Sequence, residues 1–213
     1  MATNQAKLDL EIVRENFILC QKVKDDIELE YYLKSLEELT RFLGLLGSAL
    51  GFINSELQSE IAILKNFLSS PDVGQHFCTV KTMIEYERRK HLLNKEEYIS
   101  GSRALLRLHR GLEFILACLK GLIKLGEREE ASTVCHDAYM TTLANHHSNL
   151  IIAATKLATC NLPVKHELLA KVCGREENIR RAEEIMPETL ELGLEIYNII
   201  QNIYKKKKLL SLS

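Results

Sequence analysis

The stretch Ser102-Arg-Ala-Leu-Leu-Arg-Leu-His-Arg-Gly-Leu-Glu-Phe-Ile-Leu-Ala-Cys-Leu-Lys-Gly-Leu-Ile-Lys-Leu125 decides the fold. At helical spacing, Leu105, Leu108, Leu112, Ile115, Leu116, Leu119, Leu122 and Ile123 form one broad apolar stripe. The opposite side is not a solvated face. It carries Arg103, Arg107 and Arg110 at its start, then Phe114, Cys118, Gly121 and Leu125. Only a narrow strip with His109, Glu113, Lys120 and Lys124 stays polar along the whole length. A helix apolar on two sides must be covered on two sides, so this one belongs at the centre of a layered helical protein. Its second face has guanidinium groups at one end and apolar groups at the other, the polarity of a lipid with an anionic head. The same ladder of arginines also suits a plain surface.

Elsewhere the apolar residues again recur at helical spacing, with breaks near Asp25 to Glu28, Gly51, Ser69 to Gly74, Ser100 to Ser102, Gly126, Leu162 to Pro163 and Gly174. These predict about eight helices. Ser70-Pro71-Asp72 and Asn161-Leu162-Pro163 read as helix starts, and Gly126 and Gly174 as stops. Three prolines and ten glycines among 213 residues leave little room for a strand-and-turn architecture. No linker or repeat divides the chain, so we expect one domain over 1–213, with loose tips at 1–7 and 209–213.

With 28 basic and 29 acidic side chains, no global field draws the protein to nucleic acid, and an anion site must be local. The six cysteines are widely spaced without a C-x-x-C pair, most of them within apolar periodic segments, and read as reduced core residues. No leader and no apolar run of about 20 residues is present, so a cytosolic protein is expected, one that touches membranes only peripherally. Phosphate loops, dinucleotide fingerprints, zinc-protease and nucleophile-elbow motifs are all absent, and we expect no enzyme, no cofactor and no metal.

Two further segments bear polar groups on apolar faces. Along Phe52 to Leu68, the stripe of Ile53, Leu57, Ile61, Leu64, Phe67 and Leu68 also contains Glu56 and Glu60. A buried carboxylate needs a cation or strong donors, and the arginines of the central helix are the candidates. Glu-Arg braces between two helices and a ligand site both satisfy that demand. The third segment is read as one helix from about Arg128 to Thr159, with Met140, Leu143, Leu150, Ile151, Ala154 and Ala158 around His147, and His146 pointing elsewhere. His147 suits a satisfied core histidine or a donor to a buried oxygen.

At these residues the chain resembles the glycolipid transfer protein superfamily, nearly end to end. The resemblance lies in Ser100-Gly-Ser-Arg-Ala-Leu-Leu-Arg-Leu-His-Arg-Gly-Leu112, Phe42-Leu-Gly-Leu-Leu-Gly47, Phe52-Ile-Asn-Ser-Glu56, Leu143-Ala-Asn-His-His147 and Leu162-Pro163. It implies a two-layer all-helical sandwich around an apolar lipid chamber, in a monomer that moves a sphingolipid between membranes. Arg103 and Arg107 fall on the family's phosphate-binding arginines, His147 on the histidine that meets the ceramide amide, and Glu56 on the aspartate that receives the amide proton. Arg110 and Glu60 complete the expected headgroup set; Phe52, Ile53, Leu57, Phe114, Cys118, Leu143, Leu150 and Ile151 are expected to line the chamber.

Departures from the family sharpen the ligand. The chain has no tryptophan on which a sugar could stack, which disfavours a glycolipid and leaves a phosphorylated sphingolipid, ceramide-1-phosphate first. His147 is followed by Ser148 and Asn149, without the family's His-x-Trp feature. Glu60 stands where phosphate-binding members place a lysine, reversing a charge beside the head. A carboxylate there could pair with the cation of a zwitterionic head such as phosphoethanolamine or phosphocholine on ceramide. Ile152 and the run Lys205 to Lys208 are candidate membrane contacts, the latter equally suited to complement a helix dipole. A lipid sensor acting through a protein partner, and a ligand-free bundle braced by Glu-Arg pairs, remain the alternatives to a carrier.

Overall fold

A computed structural model describes residues 7–46, 50–160 and 162–212. Gly47 and Asn161, two residues of the sequence signals above, lie outside them, as do 1–6 and 213 of the two tips. Among the described residues nine α-helices follow in order: α1 (Leu10–Cys20), α2 (Leu29–Leu45), α3 (Gly51–Leu68), α4 (Val80–Arg89), α5 (Gly101–Lys124), α6 (Ala131–Thr141), α7 (Asn149–Thr159), α8 (Lys165–Cys173) and α9 (Glu176–Lys207). Together they form the expected two-layer helical sandwich, with no strand among the described residues.

Local chemistry sets the ends of these helices. Asp9 accepts from the Glu11 amide at the start of α1, and Ser100 from the Arg103 amide at the start of α5. Thr79 and Thr82 cap α4 reciprocally. Gly174 takes φ +87° after α8 and donates to Ala170 O, the left-handed stop for which glycine is favoured. Pro71 does not open a helix as expected. Residues 71–73 form turns and a single 3-10 turn, Gly74–His76, before α4 begins at Val80.

α5 is the hub, in contact with α3, α4, α6 and α9. Its buried residues lie on both expected apolar sides, Leu105, Leu108, Leu112 and Ile115 on one and Phe114 and Cys118 on the other. Gly111 brings α3 close, since a Cβ there would stand 2.5 Å from a Leu57 methyl. His109 departs from the solvated strip assigned to it. It is buried, stacked on Tyr197 of α9 at 4.3 Å, with Nε2 donating to the Gln201 side-chain oxygen at 2.9 Å.

Two other expectations are corrected. Leu209, Leu210 and Leu212 pack half-buried against the core rather than forming a loose tip, and Leu210 O accepts from Arg110 Nη2 at 3.1 Å. Cys78 and Cys160 are exposed, whereas Cys20, Cys118, Cys135 and Cys173 are buried; all six thiols are free. No described helix is long and apolar enough to cross a membrane.

Burial, opposed by the Gln201 hydrogen bond, pushes the His109 pKa down from 6.5 to about 4. A proton therefore prefers the unfolded chain, whose imidazole keeps the ordinary value. Stability is full above pH 6.5, falls as the pH drops from 6.5 to about 4, and is level below that, a loss of roughly 3 kcal/mol from this group. Urea midpoints measured across that window should fall steeply for the wild type and more gently for His109→Gln.

Candidate anion-binding site

Three pieces of chain converge beside the N-terminal half of α5. From α5 come Arg103, Arg107 and Arg110; from α3 come Glu56 and Glu60; and from the segment joining α6 to α7 come Leu143, His146 and His147. A cavity of about 90 Å³ lies among them, lined by Ile53, Glu56, Leu57, Arg107, Arg110, Leu143, His146 and His147. Phe52 leans edge-on against His147, and Phe114 is buried edge-on against Tyr139. Cys118 is buried one turn beyond Phe114 on α5, so the apolar end of this face leads into the core.

The joining segment departs from the single helix read between Arg128 and Thr159. Thr142 Oγ1 bonds back to Ala138 O at 2.7 Å and Thr141 Oγ1 to Asp137 O at 2.8 Å. Hydroxyls that bond their own helix compete with its continuation, and Asn145, Ser148 and Asn149 follow them. α6 ends at Thr141, a 3-10 turn spans Leu143–His146, and His147 takes an extended backbone before α7. The helical phase is therefore reset. Leu150 is 81% exposed instead of lining a chamber, Ile151 is half-buried, Met140 and Ala154 are exposed, and α7 buries Thr155 and Thr159. His146 is brought to the cavity beside His147 rather than pointing away from it.

His147 is oriented by a residue that the wheel reading missed. Tyr139 Oη lies 2.8 Å from His147 Nδ1. With the phenol donating, Nε2 carries the ring hydrogen and faces Glu56 Oε2 at 3.8 Å. The available signal was the tyrosine itself, since a buried phenol needs a polar partner. Burial holds the His147 pKa below its ordinary range, opposed by Glu56; burial, then Arg110 and His147, do the same to His146. Both rings are thus neutral at pH 7, and three guanidiniums against two carboxylates leave the cluster a formal charge of +1.

The arginines are held in different ways. Arg103 Nη2 donates to Leu93 O at 2.8 Å, while its buried Nε has no partner among the described residues. Arg110 is tied to Leu210 O at 3.1 Å; its pKa is lowered by burial and by Arg107, yet a guanidinium keeps its charge. Arg107 Nη1 meets Glu60 Oε1 at 2.6 Å. That pair is lopsided, for Glu60 is 5% exposed while the Arg107 side chain is 47% exposed. Glu60 Oε2 is buried and accepts no hydrogen bond from the described residues. The cluster can therefore present two or three guanidiniums to an anion, but doing so with Arg107 disturbs a carboxylate that has no other cation among the described residues.

Because one partner is buried and the other half in solvent, the coupling should fall between surface and buried pairs, about 1–2 kcal/mol. A thermodynamic cycle of Arg107→Ala, Glu60→Gln and the double variant, followed by urea unfolding, should show Arg107→Ala as the more destabilising single change and the double variant recovering part of the loss.

Comparison with known proteins agrees with this architecture. A sequence model of the glycolipid transfer protein family matches residues 27–174. The ceramide-1-phosphate transfer protein of Mus musculus is 31% identical over the full length of both chains, and that of Danio rerio is 33% identical over 95% of this chain and 97% of its own. The crystal structure of the mouse protein in its apo form superposes with a TM-score of 0.89 at 32% identity, covering 97% of this chain and 100% of that one. The human ceramide-1-phosphate transfer protein in complex with 2:0 ceramide-1-phosphate superposes with a TM-score of 0.85 at 29% identity, covering 98% and 100%. A helix-centred sandwich with arginines at one end of an otherwise apolar face, and a family match across most of its length, make this chain a member of the glycolipid transfer protein family.

Proposed function

We propose that the chain is a non-enzymatic carrier of a phosphorylated sphingolipid of the ceramide-1-phosphate class, working as a monomer from the cytosol at membrane surfaces. The observation that carries this reading is the single α5 face on which Arg107 and Arg110 line the cavity, Arg103 stands one turn before Arg107, and Phe114 and Cys118 continue into the core. Planar guanidiniums donate paired hydrogen bonds to adjacent phosphate oxygens and cannot be neutralised, so they suit a phosphate better than a sugar. Supporting it, the relatives at about 30% identity are named for ceramide-1-phosphate transfer, and a human relative binds that lipid in its crystal structure.

The reading divides labour between head and tails. Hydrocarbon burial contributes roughly 0.8 kcal/mol per methylene without regard to the head, so it drives uptake while the polar cluster selects. Neutral His147, with Nε2–H facing the cavity and Glu56 beside it, is placed to meet an amide. A cavity of about 90 Å³ holds about three water-sized groups at roughly 30 Å³ each, so two tails enter only as core side chains part. Ile152, half-buried on α7, and Lys205 to Lys208 at the end of α9 are the candidate contacts with the membrane.

Transfer of fluorescent ceramide-1-phosphate between vesicles tests the assignment. Arg103→Ala and Arg107→Ala should each slow transfer at least about tenfold, at about 1.5–3 kcal/mol per charge-assisted hydrogen bond. Transfer unimpaired in the double variant would overturn the site. Tyr139→Phe removes the hydroxyl that orients His147, and should slow transfer about two- to tenfold while circular dichroism stays unchanged. Stable lipid binding without movement between vesicles would favour a sensor instead.

A further inference from the structure

The Glu60–Arg107 pair bears on which phosphate the site selects, an inference that rests on the carrier reading above. We infer that the preferred head is a phosphodiester ending in a primary ammonium, phosphoethanolamine on a ceramide, with Glu60 as the residue that reads the ammonium.

Glu60 is more than nine-tenths buried, and Arg107 Nη1 at 2.6 Å is its single cation within salt-bridge distance among the described residues. Its second oxygen is buried with no donor among the described residues. A carboxylate in that state depends on a cation remaining at Oε1. Arg107 is also the arginine that reaches both Glu60 and the cavity, and its half-exposed side chain is free to turn. When it turns its fork to an incoming phosphate, Glu60 is left with a charge and no partner unless the ligand brings one.

A terminal phosphate brings none. Such a monoester carries between one and two negative charges near neutral pH, and Glu60 and Glu56 already offset two of the three guanidiniums. A phosphoethanolamine head carries one negative charge on the phosphate, for the arginines, and one positive charge two carbons away. Its ammonium can take the place of Arg107 Nη1 at Oε1 and offer a second N–H to the orphaned Oε2. The buried carboxylate then exchanges one cation for another. Choline does not meet the same need, because a trimethylammonium has no N–H to donate and is recognised on aromatic faces. Glu60 asks for a donor.

The test compares wild type, Glu60→Gln and Glu60→Lys in moving fluorescent ceramide phosphoethanolamine, ceramide-1-phosphate and sphingomyelin with identical tails out of phosphatidylcholine vesicles. The wild type should transfer ceramide phosphoethanolamine about tenfold faster than the other two, the factor expected for one charge-assisted hydrogen bond. Glu60→Gln should abolish that preference by slowing ceramide phosphoethanolamine far more than ceramide-1-phosphate, and Glu60→Lys should reverse it. Wild type moving ceramide-1-phosphate as fast as the ethanolamine lipid overturns the inference whatever the variants do, and so does equal slowing of all three lipids by Glu60→Gln, which marks a structural brace. If the wild type moves none of the three, the carrier reading itself falls.

Discussion

A central helix buried on more than one side cannot turn its polar residues to water, and α5 must nevertheless carry three guanidiniums in its first half. That constraint organises the molecule around it. The long apolar side packs in the core, while the arginine end is accommodated only because each group finds a local acceptor: Leu93 O for Arg103, Glu60 for Arg107 and Leu210 O for Arg110. Those acceptors come from a loop, from α3 and from the segment after α9. The same cluster therefore ties together parts of the chain as distant as residues 60, 93, 107 and 210, and any ligand for the arginines has to compete with these contacts.

How much of this was legible in the sequence follows the reach of the forces involved. α5 could be read almost residue by residue, because two apolar faces interrupted by arginines are a periodic signal within one element. The break at Ser100 to Ser102 and the stop at Gly174 depend on neighbours a few residues away and were equally readable, whereas the start read at Pro71 did not form. The region after α6 was not. Its apolar residues fit one continuous wheel, but Thr141 and Thr142 turn their hydroxyls onto their own helix, and a break of a few residues shifts every later side chain to another face. That single shift moved Leu150 into the open, brought His146 to the cavity, and left His147 on an extended residue where Tyr139 can hold it. Likewise, nothing local marked His109 as buried, since the stacking of Tyr197 and the Gln201 acceptor arrive from α9.

The carboxylates show how differently the same charge can be settled within a few turns. Glu87 is fully buried at the start of α5, where Ser100 Oγ and the amides of Gly101 and Ser102 all donate to it at 2.7–3.0 Å. Those amides belong to the first turn of a helix, where donors are unpaired and the dipole favours an anion. Tyr204 Oη closes the arrangement by donating to Ser102 O at 2.8 Å. Because this anchor is satisfied entirely by groups that do not move with a ligand, it sets the direction in which α5 leaves the turn and hence where Arg103 and Arg107 stand.

Glu60 is the opposite case. It is buried nearly as deeply, but only one of its oxygens is met, by a side chain that is itself half in solvent. A fold selected for stability alone has a straightforward remedy, since a buried pair replaced by apolar groups of similar volume is often neutral or stabilising. Retaining a half-satisfied carboxylate next to three arginines makes physical sense where the missing partner is supplied from outside. The rigid carboxylate positions the helix, and the unsettled one is the group to which we assign the ligand's ammonium. On that proposal the frame of the site is fixed before binding and its selectivity is completed by the ligand.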